Sequence, residues 1–153
     1  MTQQILDTLI SRLAPHGFTE RTESEARSPA RTLPPSAQVM RTCPSPTGFV
    51  HIGTIYTAML NDYFAHQSGG TAILRIEDTD KKREVAGATE QISAAIRSFE
   101  IGIDESITAG GAYGPYLQSE RADIYMGYAI DLLKKDRAYP CFATAEELET
   151  AVK

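Results

Sequence analysis

One run of this sequence carries most of its chemistry. Arg41-Thr42-Cys43-Pro44-Ser45-Pro46-Thr47-Gly48-Phe49-Val50-His51-Ile52-Gly53-Thr54 brings together a guanidinium, a thiol, hydroxyls, an imidazole and two glycines. Val39 to Thr42 reads as a strand, the two prolines and Gly48 demand a loop, and a helix follows from about Gly53 to Gln67. A helix N-terminus presents unpaired backbone N–H groups and the positive end of its dipole, which is where a polyphosphate binds. His51 stands where it could donate to a phosphate oxygen. Gly53 lets a flat ring approach the backbone, because no Cβ stands in the way. With 3 His and 11 Gly in 153 residues, chance alone gives about 0.2 His-x-Gly triplets, so the surroundings must carry the reading. Gly48 and Gly53 have P-loop spacing, yet Thr54 follows where a lysine is required, and no Gly-x-Gly-x-x-Gly fingerprint is present.

The elements around this run alternate between short extended stretches and helices, which predicts an α/β layout with a parallel sheet. Helix 53–67 carries Ile52, Ile55, Tyr56, Met59, Leu60, Tyr63 and Phe64 and stops at Gly69-Gly70. Thr71 to Ile76 is the second strand. A charged loop, Glu77 to Glu84, leads to a helix marked by Val85, Ala88, Ile92, Ile96 and Phe99 and ended by Gly102. Gly110, Gly111, Gly114 and Pro115 make the next stretch irregular. A further helix starts near Ser119, with Ile124, Tyr128, Leu132 and Leu133 on one side. Ala138 to Phe142 reads as extended, and Thr144 with Glu147 forms a capping box that opens a last helix running to Lys153.

The first 36 residues differ. Ile5, Leu6, Leu9, Ile10 and Leu13 recur at helical spacing, so 3–13 is predicted as a short amphipathic helix. Thr19 to Ser36 has almost no large apolar residues and is predicted to be a flexible linker. With 15 Lys and Arg against 20 Asp and Glu the net charge is 15 − 20 = −5, which speaks against a bulk phosphate-binding module. Arg12, Arg21, Arg27 and Arg31 balance Asp7, Glu20, Glu23 and Glu25, so the whole excess lies in 37–153. A hydrophobic share of 42% suffices for a core and excludes disorder of the whole chain. Cys43 and Cys141 have no Cys-x-x-Cys spacing and no secretory leader precedes them, so a reducing, cytoplasmic setting is expected, with no membrane span.

The run Arg41-x-x-Pro-Ser-Pro-Thr-Gly-x-x-His-x-Gly53 resembles the signature of class I aminoacyl-tRNA synthetases of the glutamyl type. Three further blocks are similar to that family in the same order: Leu74-Arg75-Ile76-Glu77-Asp78-Thr79-Asp80 with Arg83, Gly111-x-Tyr-Gly-Pro-Tyr-x-Gln-Ser-Glu-Arg121, and Ala138-Tyr139-Pro140-Cys141-Phe142. The resemblance covers 38–153; no counterpart is recognised for 1–36. It implies an incomplete Rossmann-like nucleotide-binding fold. Residues 37–153 would be the N-terminal portion of the catalytic domain, stopping near its insertion, and 1–36 an N-terminal extension.

The resemblance also implies roles. Arg41, Cys43, Ser45 and Glu77 match glutamate-binding positions: the guanidinium fork suits a carboxylate, and Glu77 lies near the amino group. The bland alternative for Glu77 is a structural ion pair with Arg75 or Arg83. Pro44, Ser45, Pro46, Thr47, Gly48, His51, Ile52, Gly53 and Thr54 match the ATP motif, with His51, Gly53 and Thr54 at its catalytic core. Thr54 stands where a histidine is usual and Cys43 where an alanine is usual. Asp78 and Asp80 are expected to cap the following turn. The implied activity is glutamate–tRNA ligation: glutamate, ATP with Mg²⁺ and tRNA(Glu) as partners, no zinc because Ala143 replaces the second cysteine of a Cys-x-Cys pair, and a monomer. No Lys-Met-Ser-Lys-Ser type loop occurs in the sequence, so this chain is expected to activate glutamate weakly or not at all alone. The alternatives are a non-catalytic paralogue that binds nucleotide or a partner, and the short relative that glutamylates a modified tRNA base. Glutaminyl enzymes and small nucleotidyltransferases fit fewer of the blocks.

Overall fold

A computed structural model describes residues 3–28 and 30–151. The elements run α1 (Gln3–Leu13), α2 (Arg21–Arg27), β1 (Val39–Thr42), α3 (Ile52–Gln67), β2 (Thr71–Leu74), α4 (Ala88–Ser98), a 3-10 turn (Gln118–Arg121), α5 (Ala122–Lys134) and α6 (Ala145–Ala151). The chain forms two compact units, one of residues 22–122 and one built from the two ends, 1–21 with 123–153.

In the unit 22–122, β1 and β2 are parallel and pair Val39 with Thr71, Met40 with Ala72, Arg41 with Ile73 and Thr42 with Leu74. The pairing continues past the named strands, since the amides of Arg75 and Glu77 donate to the carbonyls of Thr42 and Pro44 (3.0 and 2.9 Å). On its other edge β2 receives two extended segments, through parallel bridges Ile73 with Glu105 and Ile76 with Leu117. This is the expected incomplete Rossmann-like arrangement, with β2 flanked on both sides. Alternation decides what each face does. Leu74 and Ile76 point into a core with Ile55, Ala58, Ile92, Ile96 and Ile101, while Arg41, Arg75 and Glu77 occupy the other face. Thr42 joins the core side and accepts a hydrogen bond from Asn61 of α3 (2.9 Å). Gly70 is required between α3 and β2, because a Cβ there would lie 1.9 Å from the carbonyl oxygen of Gln38.

Helix α3 buries Ile55, Ala58 and Ala65 and leaves Ile52, Tyr56, Met59 and Tyr63 exposed. Its apolar residues are spread too widely round the axis for one contact to cover them all.

The linker expectation for 19–36 needs correction. Arg21–Arg27 is a helix, and Arg31 forms a two-bonded ion pair with Glu105 (2.6 and 2.8 Å) with its guanidinium 3.8 Å from the centre of the Tyr113 ring. Apolar area is not what orders this segment. What holds Arg31 is a nearly buried bidentate pair fixed at its far side by Tyr116, whose hydroxyl donates to Glu105 (2.6 Å).

In the unit formed by the two ends, α5 buries Gly127, Ile130 and Leu133, so that of the expected side, Ile124, Tyr128, Leu132 and Leu133, only Leu133 is buried. Gly127 explains the offset, because the carbonyl oxygen of Thr19 occupies the place its Cβ would take, at 1.9 Å. Arg21 and Lys134 add ion pairs to Asp131 and Glu20. The capping box of α6 forms in both directions: Thr144 N–H donates to Glu147 (2.7 Å) and Glu147 N–H to Thr144 Oγ1 (3.2 Å). The expected run of this helix to Lys153 is described as far as Ala151; residues 152 and 153 lie outside the described residues. Ala138 to Phe142 forms no strand, and the rings of Tyr139 and Phe142 are almost fully exposed. No described helix is long and apolar enough to cross a membrane.

Candidate functional site

The candidate site lies where β1 and β2 give out, at their C-terminal ends. Strand pairing sets Arg41, one residue before the end of β1, opposite Ile73, and the continued pairing carries Glu77 beside Pro44, four residues further along the same face, so the long Arg41 side chain reaches it diagonally. Arg41 Nη1 donates to Glu77 Oε1 at 2.6 Å, and Arg75 Nη2 donates to the same oxygen at 3.1 Å. Partial burial opposes ionisation of Glu77, but the two guanidinium donors hold its carboxyl below the ordinary value. Glu77 therefore pairs with Arg75, as the bland alternative has it, and also with the other glutamate-binding candidate, Arg41. Arg83 is not its partner and pairs with Asp80 instead (2.6 Å).

Next to this pair the proline loop builds a cleft of about 320 Å³, lined by Pro44, Ser45, Thr47, Gly48, Phe49, Val50, His51, Thr54 and Ile92. Six of the nine motif residues thus share one concavity. Pro46 does not face it; it is fully buried, and its carbonyl accepts the amide of Val85 (2.9 Å). Ile52 and Gly53 lie outside the lining, and Ile52 is exposed. Arg41, Cys43 and Glu77 are not part of this lining either, but the Glu77 amide on the carbonyl of Pro44 joins the two groups through the backbone. Cys43 and Ser45 are both exposed.

His51 is the N-cap of α3. Its Nδ1 accepts from the amide of Gly53 at 3.0 Å. A neutral ring that accepts at Nδ1 carries its hydrogen on Nε2, so the imidazole presents a donor away from the helix. Of the first-turn amides expected to meet a phosphate, that of Gly53 is spent on the imidazole, and the donor is moved to Nε2. Gly53 has a reason beyond access for a flat ring: a Cβ would stand 3.0 Å from His51 Nδ1 and crowd the cap.

Asp78 does more than cap a turn. It is buried, accepts from the amide and hydroxyl of Ser119 (2.8 and 2.6 Å) and from Lys81 (2.8 Å), and so ties the end of β2 to the 3-10 turn. Burial raises its pKa, but the hydrogen bonds from Lys81 and Ser119 outweigh that and hold it at about 2. Asp80 meets the capping expectation through the amide and guanidinium of Arg83 (3.3 and 2.6 Å). Lys81 and Arg83 are consequently ion-paired residues of a closed loop. Sequence reading gave Arg75 no part in the site beyond a possible pair, although its position two residues before Glu77 on a strand already put both on one face.

The match to known proteins takes in all of these residues. The family model for class I tRNA synthetases (E and Q), catalytic domain, matches residues 38–153. The glutamate–tRNA ligase of Clostridium perfringens strain 13 is 53% identical over 125 residues, covering 79% of this chain and 23% of that protein. The glutamate–tRNA ligase of Sorangium cellulosum is 43% identical over 143 residues, covering 83% of this chain and 25% of that one. A solved glutamate tRNA ligase from Elizabethkingia meningosepticum, in complex with its amino acid, superposes with a TM-score of 0.69 at 47% identity, over 76% of this chain and 23% of that one. The chain spans about a quarter of the length of the curated relatives it matches. From residue 38 onward, this chain belongs to the class I tRNA synthetase (E and Q) family and corresponds to the N-terminal part of its catalytic domain.

Proposed function

We propose that this segment binds glutamate and ATP for glutamate–tRNA ligation, with residues 37–153 as the front of the catalytic unit and 1–36 as an extension of it. The observation that carries the reading is the contact of Arg41 with Glu77 at 2.6 Å, on a backbone joined to the Pro44–Thr54 cleft. One cation and one anion in contact match a zwitterion's two ends. Arg41 would take a carboxylate of glutamate and Glu77 its ammonium, with Cys43 and Ser45 beside them. His51 Nε2–H, Gly53 and Thr54 would position the nucleotide.

The glutamate α-carboxylate then attacks the α-phosphate of ATP. A C–O–P bond forms, the bond to the β-phosphate breaks, and pyrophosphate leaves. A carboxylate is already ionised, so the step needs no general base, and positioning with charge neutralisation lowers the barrier. Among the described residues no three His, Cys, Asp or Glu side chains converge to hold a metal ion. Mg²⁺ would therefore come on the phosphates of ATP and supply charge neutralisation on the leaving pyrophosphate. The glutamyl group would pass to the 3′ end of tRNA(Glu), bound mostly by sequence that the longer relatives carry.

The test is glutamate-dependent ATP–pyrophosphate exchange in a protein of the relatives' length that carries this segment. Arg41→Ala is expected to raise the glutamate KM about 100-fold, with the ATP KM within about twofold, as loss of a charged carboxylate contact predicts. Equal loss of both substrates contradicts the assignment.

A further inference from the structure

Arg75 has no task in the binding scheme above, yet its geometry is costly to keep. Its backbone is fixed in the sheet by the hydrogen bond its N–H donates to the Thr42 carbonyl (3.0 Å), and its side chain is about half as exposed as that of Arg41 (21% against 40%). Its Nε–H is buried and finds no acceptor. A buried donor without a partner destabilises a fold, and an apolar side chain at 75 would avoid that cost. The contact that sets this cost against a gain is the ion pair with Glu77. What the guanidinium does contact is Glu77 Oε1, the oxygen that Arg41 also holds. Two like charges on one oxygen repel each other, which eases release of the more exposed one.

We infer that Arg75 is a positioning residue, which keeps the Glu77 carboxylate in place when Arg41 turns from it to the carboxylate of an incoming glutamate. The inference rests on the glutamate-binding reading and deepens it. In the empty site Arg41 and Arg75 share Glu77. In the filled site Arg41 exchanges one carboxylate for another, and Arg75 remains the cation that fixes Glu77 for the substrate ammonium. Without Arg75, the exchange would leave Glu77 unsupported at the moment it must accept.

The experiment titrates L-glutamate and glutarate into this chain and its Arg75→Met variant, read by calorimetry. Glutarate keeps both carboxylates and lacks the ammonium. Arg75→Met is expected to weaken L-glutamate about tenfold and to leave glutarate unchanged; Arg75→Lys, which keeps the charge, recovers most of the loss. A structural role alone would weaken both ligands together, and that result, or no loss with either, overturns the inference. If the methionine variant does not fold, Arg75→Gln is read by the same pair of ligands with the same expectation. A wild-type chain that fails to distinguish L-glutamate from glutarate, or binds neither, contradicts the glutamate-binding reading itself. A wild-type chain that distinguishes them while the Arg75 variants behave like it contradicts the Arg75 inference alone.

Discussion

The two ends of the β1–β2 sheet carry charge clusters of opposite make. At the C-terminal end one anion, Glu77, sits between two cations, Arg41 and Arg75. At the opposite end one imidazole, His66 in the last turn of α3, sits between two anions, with Nδ1 2.5 Å from Asp62 and Nε2 3.1 Å from Asp104. The difference lies in what else holds the carboxylates. Asp62 also accepts the amide of Gly102 (2.9 Å) and Asp104 that of Ala72 (2.7 Å), so both belong to the backbone architecture. The carboxylate of Glu77 is held by side chains, and its partners are replaceable by a ligand's groups. A charge cluster bonded into the main chain is a clamp; one held by side chains is a site.

That contrast can be broken in order of expected effect. Glu77→Gln is expected to cost about 30- to 100-fold in L-glutamate affinity, while thermal stability moves by less than about 1 kcal/mol, as for other partly exposed pairs. A large stability loss without an affinity loss would make Glu77 a clamp like Asp104. The smaller effect is at the other end. The bonds to Asp104 and Asp62 raise the pKa of His66, against a smaller opposing effect of burial. A raised folded-state pKa means that the stabilisation is complete below the unfolded value of about 6.5 and is lost as pH rises through the folded value. Because His66 is 44% exposed, the effect is discounted to about 0.5 kcal/mol. The unfolding free energy from denaturant titrations should fall by that amount from pH 6 to pH 9 in the wild type and stay level in His66→Gln, with L-glutamate affinity unchanged. Glu77 behaves in the opposite sense. Its lowered pKa makes its contribution full above about 4.3 and lost as pH falls.

Much of this was legible in the residues. The strand Val39–Thr42, the proline loop and the capping box at Thr144 depend on local chemistry and appear where spacing put them, and the helix expected from about Gly53 starts at Ile52. Long-range pairings were not legible. Arg31 with Glu105 and Asp78 with Ser119 join positions 74 and 41 residues apart, and nothing local to Arg31 or Asp78 signals the partner. The exposed side of α3 was illegible for another reason. Apolar periodicity marks which residues could be buried, and Tyr56, Met59 and Tyr63 satisfy it although they remain exposed. In the site, residue types were readable from Arg41 and Glu77, but their direct contact and the sharing of one oxygen with Arg75 depended on strand register.

The most direct test of the central claim follows the side-chain carboxyl signal of Glu77 and the ring signals of His66 by NMR while L-glutamate is added to the wild-type chain. Glu77 and the Arg41 guanidinium are expected to shift in a saturable way while His66 does not respond. Signals at Glu77 and Arg41 that stay fixed, or a His66 that moves with them, would contradict the division of the sheet into a site at one end and a clamp at the other.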